Sequence, residues 1–357
     1  MKKILVFVIL SGLLLTNSNC KKNKENELPP DEFNRTELMT NVANNLIIPQ
    51  YLTFQTELNQ LKNEYNSFVS NQNSTTLQIV QNQYIETLIS WQSVSMFEIG
   101  PAMTLGLRSA IGAFPTDTAK VITNITLGSY NLATAANTDA IGLSALDFMF
   151  FRSDALNYFT SSNYQNYGLD VIQKMQTEIN SVVSQWQGSY KETFIAGTGT
   201  ESTSGFSKLV NEYCLDFELT KNAKIGTPIG VYSLGITMPE YLEARYSSIS
   251  LQLIRENIKA SRRLFNGNKQ DGSSGIGFDD YLNALEKSTL ASSINSKYDE
   301  ILYAESALNG SFAENINSNL AGLEALHLKC SQMVVMIKTD MSSSFGVLIT
   351  YQDNDGD

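Results

Sequence analysis

The chain has 357 residues, a formal net charge of −11, 42% hydrophobic side chains, three cysteines and a single histidine. That length allows about two domains, and the acidic balance disfavours binding to a nucleic-acid phosphate backbone while leaving cationic or metal partners electrostatically admissible. One histidine, His327, excludes a zinc site built from several imidazoles.

Lys2-Lys3 opens onto an apolar run from Ile4 to Leu15, too short to cross a bilayer as a helix, and polar residues then lead to Cys20. The pattern predicts a secretory signal over 1–20. Cys20 is expected to carry a lipid, although Asn17 and Asn19 stand where such signals usually show a leucine and a small residue. Residues 21–32, beginning Lys21-Lys22-Asn23-Lys24-Glu25, have almost nothing to bury and read as a disordered tether. The expected location is therefore the bacterial envelope, as a lipoprotein of the outer membrane on its periplasmic or surface face. Cys214 and Cys330 then remain, and are expected as buried thiols rather than a bridge.

Proline is absent between Pro115 and Pro228 and again after Pro239, which permits long helices. Tyr51, Phe54, Leu58, Leu61, Tyr65 and Phe68 recur at spacings of three and four and predict one apolar helical stripe. Asn71-Gln72-Asn73-Ser74 reads as a turn, and Leu77, Val80, Tyr84, Leu88 and Trp91 predict a second helix running to Gly100-Pro101, with Trp91 and Glu98 on successive turns. Phe148 to Phe151 read as bundle core. The small-residue stretch from Gly197 to Gly205 cannot build a core and is expected to divide an N-terminal bundle, 33–200, from a C-terminal bundle, 201–357. Beyond it, Leu251, Ile254, Ile258 and Leu264 predict a helix that Gly267 ends, and Tyr281, Leu285, Tyr298, Leu302, Ile316, Leu320 and Leu323 continue in helical registers. Met333 to Ile337 read as further core. The acidic end, Asp353-Asn354-Asp355-Gly356-Asp357, opens like a calcium loop but stops before the later ligands, and is expected as a frayed tail. The fold class is all-α, with two antiparallel bundles and a cleft at their interface.

Several patches recur in an informative order: Trp91-Gln92, Phe97-Glu98-Ile99-Gly100-Pro101-Ala102, Ala113-Phe114-Pro115-Thr116-Asp117, Gly142-Leu143-Ser144-Ala145-Leu146-Asp147, Lys224-Ile225-Gly226-Thr227-Pro228, Glu243-Ala244-Arg245-Tyr246, Leu264-Phe265-Asn266-Gly267 and Gly275-Ile276-Gly277-Phe278-Asp279-Asp280. Together they resemble the imelysin-like family across nearly the whole mature chain. The resemblance implies a two-bundle helical protein of the bacterial envelope linked to iron uptake, with some members described as metallopeptidases around a Gly-x-His-x-x-Glu motif. Here Ser144 stands for the histidine and Asp147 for the glutamate.

A histidine and a glutamate three apart on a helix face one metal ion. A serine hydroxyl is a poor ligand for zinc, iron or copper, so any remaining preference moves to hard, oxygen-seeking cations, with Asp147 the candidate ligand. Glu98, Asp139, Asp147, Glu240 and Glu243 are the carboxylates near these patches. Asp147, in apolar surroundings, calls for a partner such as a hydroxyl or Arg108, Arg152 or Arg245. Ser144 has no histidine or lysine nearby in sequence to activate it as a nucleophile.

The expected cleft is lined by Trp91, Glu98, Gly142, Ser144, Asp147, Glu243, Tyr246, Ser247 and Ser250, the last four at helical spacings. No catalytic residue is assigned. The expected function is non-catalytic binding of a ligand or partner in iron or haem acquisition, with the membrane and iron- or haem-uptake components as partners and no nucleic acid. The alternative is a metallopeptidase, or an oxygen-ligand metal-binding protein using Asp147. Iron or another divalent cation is the admissible cofactor.

Overall fold

The computed structural model describes residues 33–269 and 271–351. The expected signal, Cys20, the tether and the acidic end fall outside the described residues. Among those described there is no β-strand, and the elements are helices joined by turns.

The N-terminal half is built on three long helices. Arg35–Asn41 runs through a π-helical stretch, Val42–Ile47, into Ile48–Ser70. The predicted stripe is its buried face: Tyr51, Phe54, Leu58, Leu61, Tyr65 and Phe68 are all at most 1% exposed. Asn73 caps the following helix, Ser74–Trp91, by accepting the amides of Thr75 and Thr76. Ser162–Gln185 is the third, and it packs with Ser74–Trp91 against Ile48–Ser70. The short helix Gly142–Phe151 lies among them, with Leu143, Leu146, Met149 and Phe150 buried.

The second helix ends at Trp91, nine residues before the expected Gly100. Val94, Ser95, Met96 and Phe97 are consecutively buried, so the apolar residues here mark no single helical face. The chain leaves the helix, makes one 3-10 turn at Ser95–Phe97, and restarts at Pro101–Leu105 with proline in its first turn. Trp91 and Glu98 accordingly belong to different elements.

In the C-terminal half, Gly205–Leu219 is a central helix, buried on nearly every side. Ser250–Phe265, Ser288–Ser306 and Leu320–Val334 surround it. Gly267 closes the Ser250–Phe265 helix with a φ of +61°, as the sequence predicts. Leu320–Ser344 is long and apolar enough to cross a membrane by composition alone, but Leu323, Leu326, Cys330, Met333, Ile337 and Met341 are buried against the protein. Cys214 and Cys330 are both buried free thiols, and burial pushes both up. The segment from Gly197 to Ser204 links Lys191–Ala196 to Gly205–Leu219, and one hydrophobic cluster includes residues of both halves.

Candidate functional site

Gly142 begins its helix with φ +75°. A Cβ there would stand 2.4 Å from the Ile111 carbonyl oxygen, so only glycine lets the two backbones meet this closely. The contact fixes the start of the helix and thereby the direction in which Ser144 and Asp147 project; the Tyr84 hydroxyl, donating to the Leu143 carbonyl at 3.0 Å, holds it from the other side.

Asp147 is 2% exposed. Its partner is neither an arginine nor a cation: Oδ2 accepts the backbone N–H of Tyr246 at 2.8 Å and Oδ1 that of Ser247 at 3.1 Å. Of the three arginines expected as partners, Arg108 pairs with Glu212 at 2.8 Å, Arg152 lies over the Tyr158 ring at 3.6 Å, and Arg245 lies over the Tyr246 ring at 5.6 Å. Burial pushes Asp147 up to about 6, although the hydrogen bonds from Tyr246 and Ser247 pull it down.

The stretch that grips Asp147 is not the helix the spacing of Glu243, Tyr246, Ser247 and Ser250 suggested. Ala244 and Ser248 take left-handed φ values of +55° and +62°, and the helix starts only at Ser250. Two successive amides converging on one carboxylate form a small anion-binding concavity, with Asp147 as the anion. Ser250 donates to the Glu243 carbonyl and ties the segment to the helix behind it.

The nine expected residues divide around this segment. Ser144, Asp147 and Tyr246 line one cavity, of about 270 Å³, with Pro115, Thr116 and Glu240. Trp91, Glu98 and Glu243 line a second, of about 390 Å³. The same stretches of chain, 112–118 and 240–246, contribute walls to both. Gly142, Ser247 and Ser250 line neither and act in the frame. Asp139 lines neither cavity; its carbonyl accepts from Asp117 and Thr116.

The larger cavity contains a buried polar network that the sequence reading left unassembled. Lys224 Nζ stands 2.9 Å from Glu243 Oε2, and Gln92, fully buried, bridges the pair by donating to Glu243 Oε1 at 3.1 Å and accepting from Lys224. Asp216 accepts from Ser95 Oγ and from Asn257 Nδ2, each at 2.8 Å. Arg108 donates to the Ser95 carbonyl at 2.9 Å as well as to Glu212. The available signal was the four-residue spacing of Glu212 and Asp216 within one helix, which places two acids on one face.

Glu98 accepts the backbone N–H of Arg108 at 2.8 Å. Burial pushes it up to about 7, with Glu212 adding to the rise and Arg108 opposing it. A carboxyl raised above its unfolded value favours the fold most at pH below that unfolded value, and the contribution is lost as pH rises through about 7. Glu98→Gln is thus expected to melt at a higher temperature than wild type at pH 8 and at nearly the same temperature at pH 4. Thermal unfolding followed by circular dichroism at the two pH values checks this; an equal effect at both would show that charge burial is not the cause.

The transition-metal site implied by a Gly-x-His-x-x-Glu motif does not fit these residues. Ser144 supplies only a neutral hydroxyl, and both oxygens of Asp147 already accept backbone hydrogens. Among the described residues no three His, Cys, Asp or Glu side chains are grouped so as to hold a metal ion. His327 lines neither cavity; its Nε2 lies close to Gly226 in the C-terminal half.

The profile of the family described as imelysin, peptidase M75, matches residues 47–327. Two crystal structures share the fold. One is of a proposed iron-regulated protein A precursor from Parabacteroides distasonis, with a TM-score of 0.75 and 16% identity over 90% of this chain and 97% of that one. The other is of an imelysin-like protein from Psychrobacter arcticum, with a TM-score of 0.74 and 17% identity over 90% of this chain and 99% of that one. No curated protein matches the sequence.

Proposed function

The chain belongs to the imelysin family, and from that membership we propose that it is a non-catalytic binding protein of the bacterial envelope, serving iron or haem acquisition. The observation that carries the reading is the state of Asp147. The acid at the motif position spends both oxygens on the amides of Tyr246 and Ser247, so it braces a wall between two cavities. A hydrolytic metal needs several protein ligands and an open coordination position for water, and among the described residues Asp147 is not grouped with two further His, Cys, Asp or Glu side chains that could hold one. The 390 Å³ cavity beside Trp91 lies within the size range of small-molecule sites and is the proposed ligand pocket. The link to iron follows the description of the Parabacteroides distasonis protein as iron-regulated.

The test is to purify the protein without residues 1–20, measure bound metal, and titrate Fe and Zn by calorimetry into wild type and into a Ser144→His, Asp147→Glu double variant. Wild type is expected to bind neither metal tightly, and tight binding confined to the double variant would support the reading. Tight iron binding by wild type that Asp147→Asn abolishes would replace it with an oxygen-ligand iron site. Hydrolysis of a peptide library by metal-loaded wild type would restore the metallopeptidase.

The same proposal places the protein on a membrane through a lipid on Cys20. Cys20→Ser is expected to move it from the membrane to the soluble fraction of the envelope; a variant that stays membrane-bound removes the anchor from the reading.

A further inference from the structure

The larger cavity carries more negative than positive charge. Glu98, Asp216 and Glu243 line it and Glu212 pairs with one of its cations, against Arg108 and Lys224. Both cations are committed, Arg108 to Glu212 at 2.8 Å and Lys224 to Glu243 at 2.9 Å. Asp216 is satisfied by the neutral donors Ser95 and Asn257.

Glu98 has capacity to spare: its carboxylate is held by the backbone amides of Arg108, which Oε2 accepts, and Leu107, and no side chain among the described residues donates a hydrogen bond to it. A second group at the same wall is also unspent. Trp91 is only 2% exposed and lines the cavity, yet its indole Nε1 donates to no acceptor among the described residues. It sits against Gly112, where a Cβ would come within 2.4 Å of it. Phe114 and Leu219 supply apolar wall.

We propose that this cavity binds a small organic cation: a primary amine bearing a hydrogen-bond acceptor and an apolar body. The ammonium donates to the Glu98 carboxylate in a charge-assisted hydrogen bond, the acceptor takes the Trp91 N–H, and the apolar body packs on Phe114 and Leu219. An anionic ligand would have to displace Glu212 or Glu243 from its cation, leaving a buried carboxylate unpaired. The inference rests on the reading of this cavity as the ligand pocket.

Three compounds of similar size separate the charge states: phenylalaninol, a cation at pH 8; 3-phenyllactate, an anion; and 3-phenyl-1,2-propanediol, which is neutral. All three carry a phenyl ring and a hydroxyl. Calorimetric titration at pH 8 is expected to show phenylalaninol binding at least tenfold more tightly than either of the others. Glu98→Gln is expected to weaken it at least tenfold and Trp91→Phe about fivefold, with the circular dichroism and melting of each variant checked first.

Tighter binding of phenyllactate or the diol, lost on Trp91→Phe, would overturn the charge assignment while leaving the pocket reading in place. Phenylalaninol binding that neither variant weakens would overturn the location. Failure of all three compounds to bind would overturn the inference, and the metal and peptide assays above would decide separately whether the protein is a binding protein at all.

Discussion

Replacing Asp147 with alanine is expected to lower stability by about 3 kcal/mol, because hydrogen bonds to a charged group contribute about 1.5–3 kcal/mol each and buried donors left without an acceptor bear their own desolvation cost. The carboxylate is the shared acceptor for the amides of Tyr246 and Ser247, inside a stretch whose Ala244 and Ser248 hold left-handed conformations. Such conformations persist only where surrounding structure over-determines them, and Asp147 supplies restraint from one side as Ser250 does from the other.

Urea unfolding measures the loss, and hydrogen exchange should show the amides of Tyr246 and Ser247 losing protection before the rest of the fold. Asp147→Asn keeps one acceptor and turns a donor toward the second amide, so its cost should remain above 1 kcal/mol on the same ground, given as about half the alanine effect. A loss near zero for the alanine variant would mean that the grip on the segment is incidental. Since Glu243 and Tyr246 belong to that segment, the alanine variant should also weaken any ligand in the 390 Å³ cavity without touching it.

The second large effect is expected from Gly142→Ala. The new Cβ would meet the Ile111 oxygen at 2.4 Å and the Ile111 carbonyl carbon at 2.9 Å, both backbone atoms with no rotamer to escape into. To that overlap is added the left-handed backbone at φ +75°, which costs an alanine about 1–2 kcal/mol; overpacking adds about 1–3 kcal/mol. A total of about 3–4 kcal/mol is expected on the same grounds. Gly346→Ala is the control, because Gly346 has a φ of +66° but nothing within 4 Å of its Cβ position. It should carry the conformational cost alone, about 1–2 kcal/mol. Equal losses at the two positions, read from the same urea titrations, would remove the close backbone contact as the reason glycine stands at 142.

Much of the architecture is legible from side-chain periodicity. The stripe from Tyr51 to Phe68 is buried in full, the helix before Gly267 stops where that glycine permits, and the chain forms helices without strands among the described residues. A helix buries one face, so the spacing of its apolar residues records the face directly. The signal failed between Gln92 and Gly100, where consecutive residues are buried, because burial on all sides leaves no period to read. It failed again at 243–250, where four polar residues at helical spacings lie mostly in an irregular segment whose shape is set by a carboxylate about a hundred positions earlier in the chain.

Legible before any packing were the helical class, the buried face of Ile48–Ser70, the stop at Gly267, the family, and the loss of an imidazole and a longer acid at Ser144 and Asp147. What the tertiary structure decided is the employment of the charges: Asp147 braces two amides, Arg108 and Lys224 are taken by Glu212 and Glu243, and Glu98 and Trp91 keep unspent groups toward one cavity. The reason is physical. The partners of Asp147 are backbone amides, which every residue except proline possesses and which leave no trace in side-chain pattern, and the ion pairs join residues on different elements whose proximity exists only once the helices have packed.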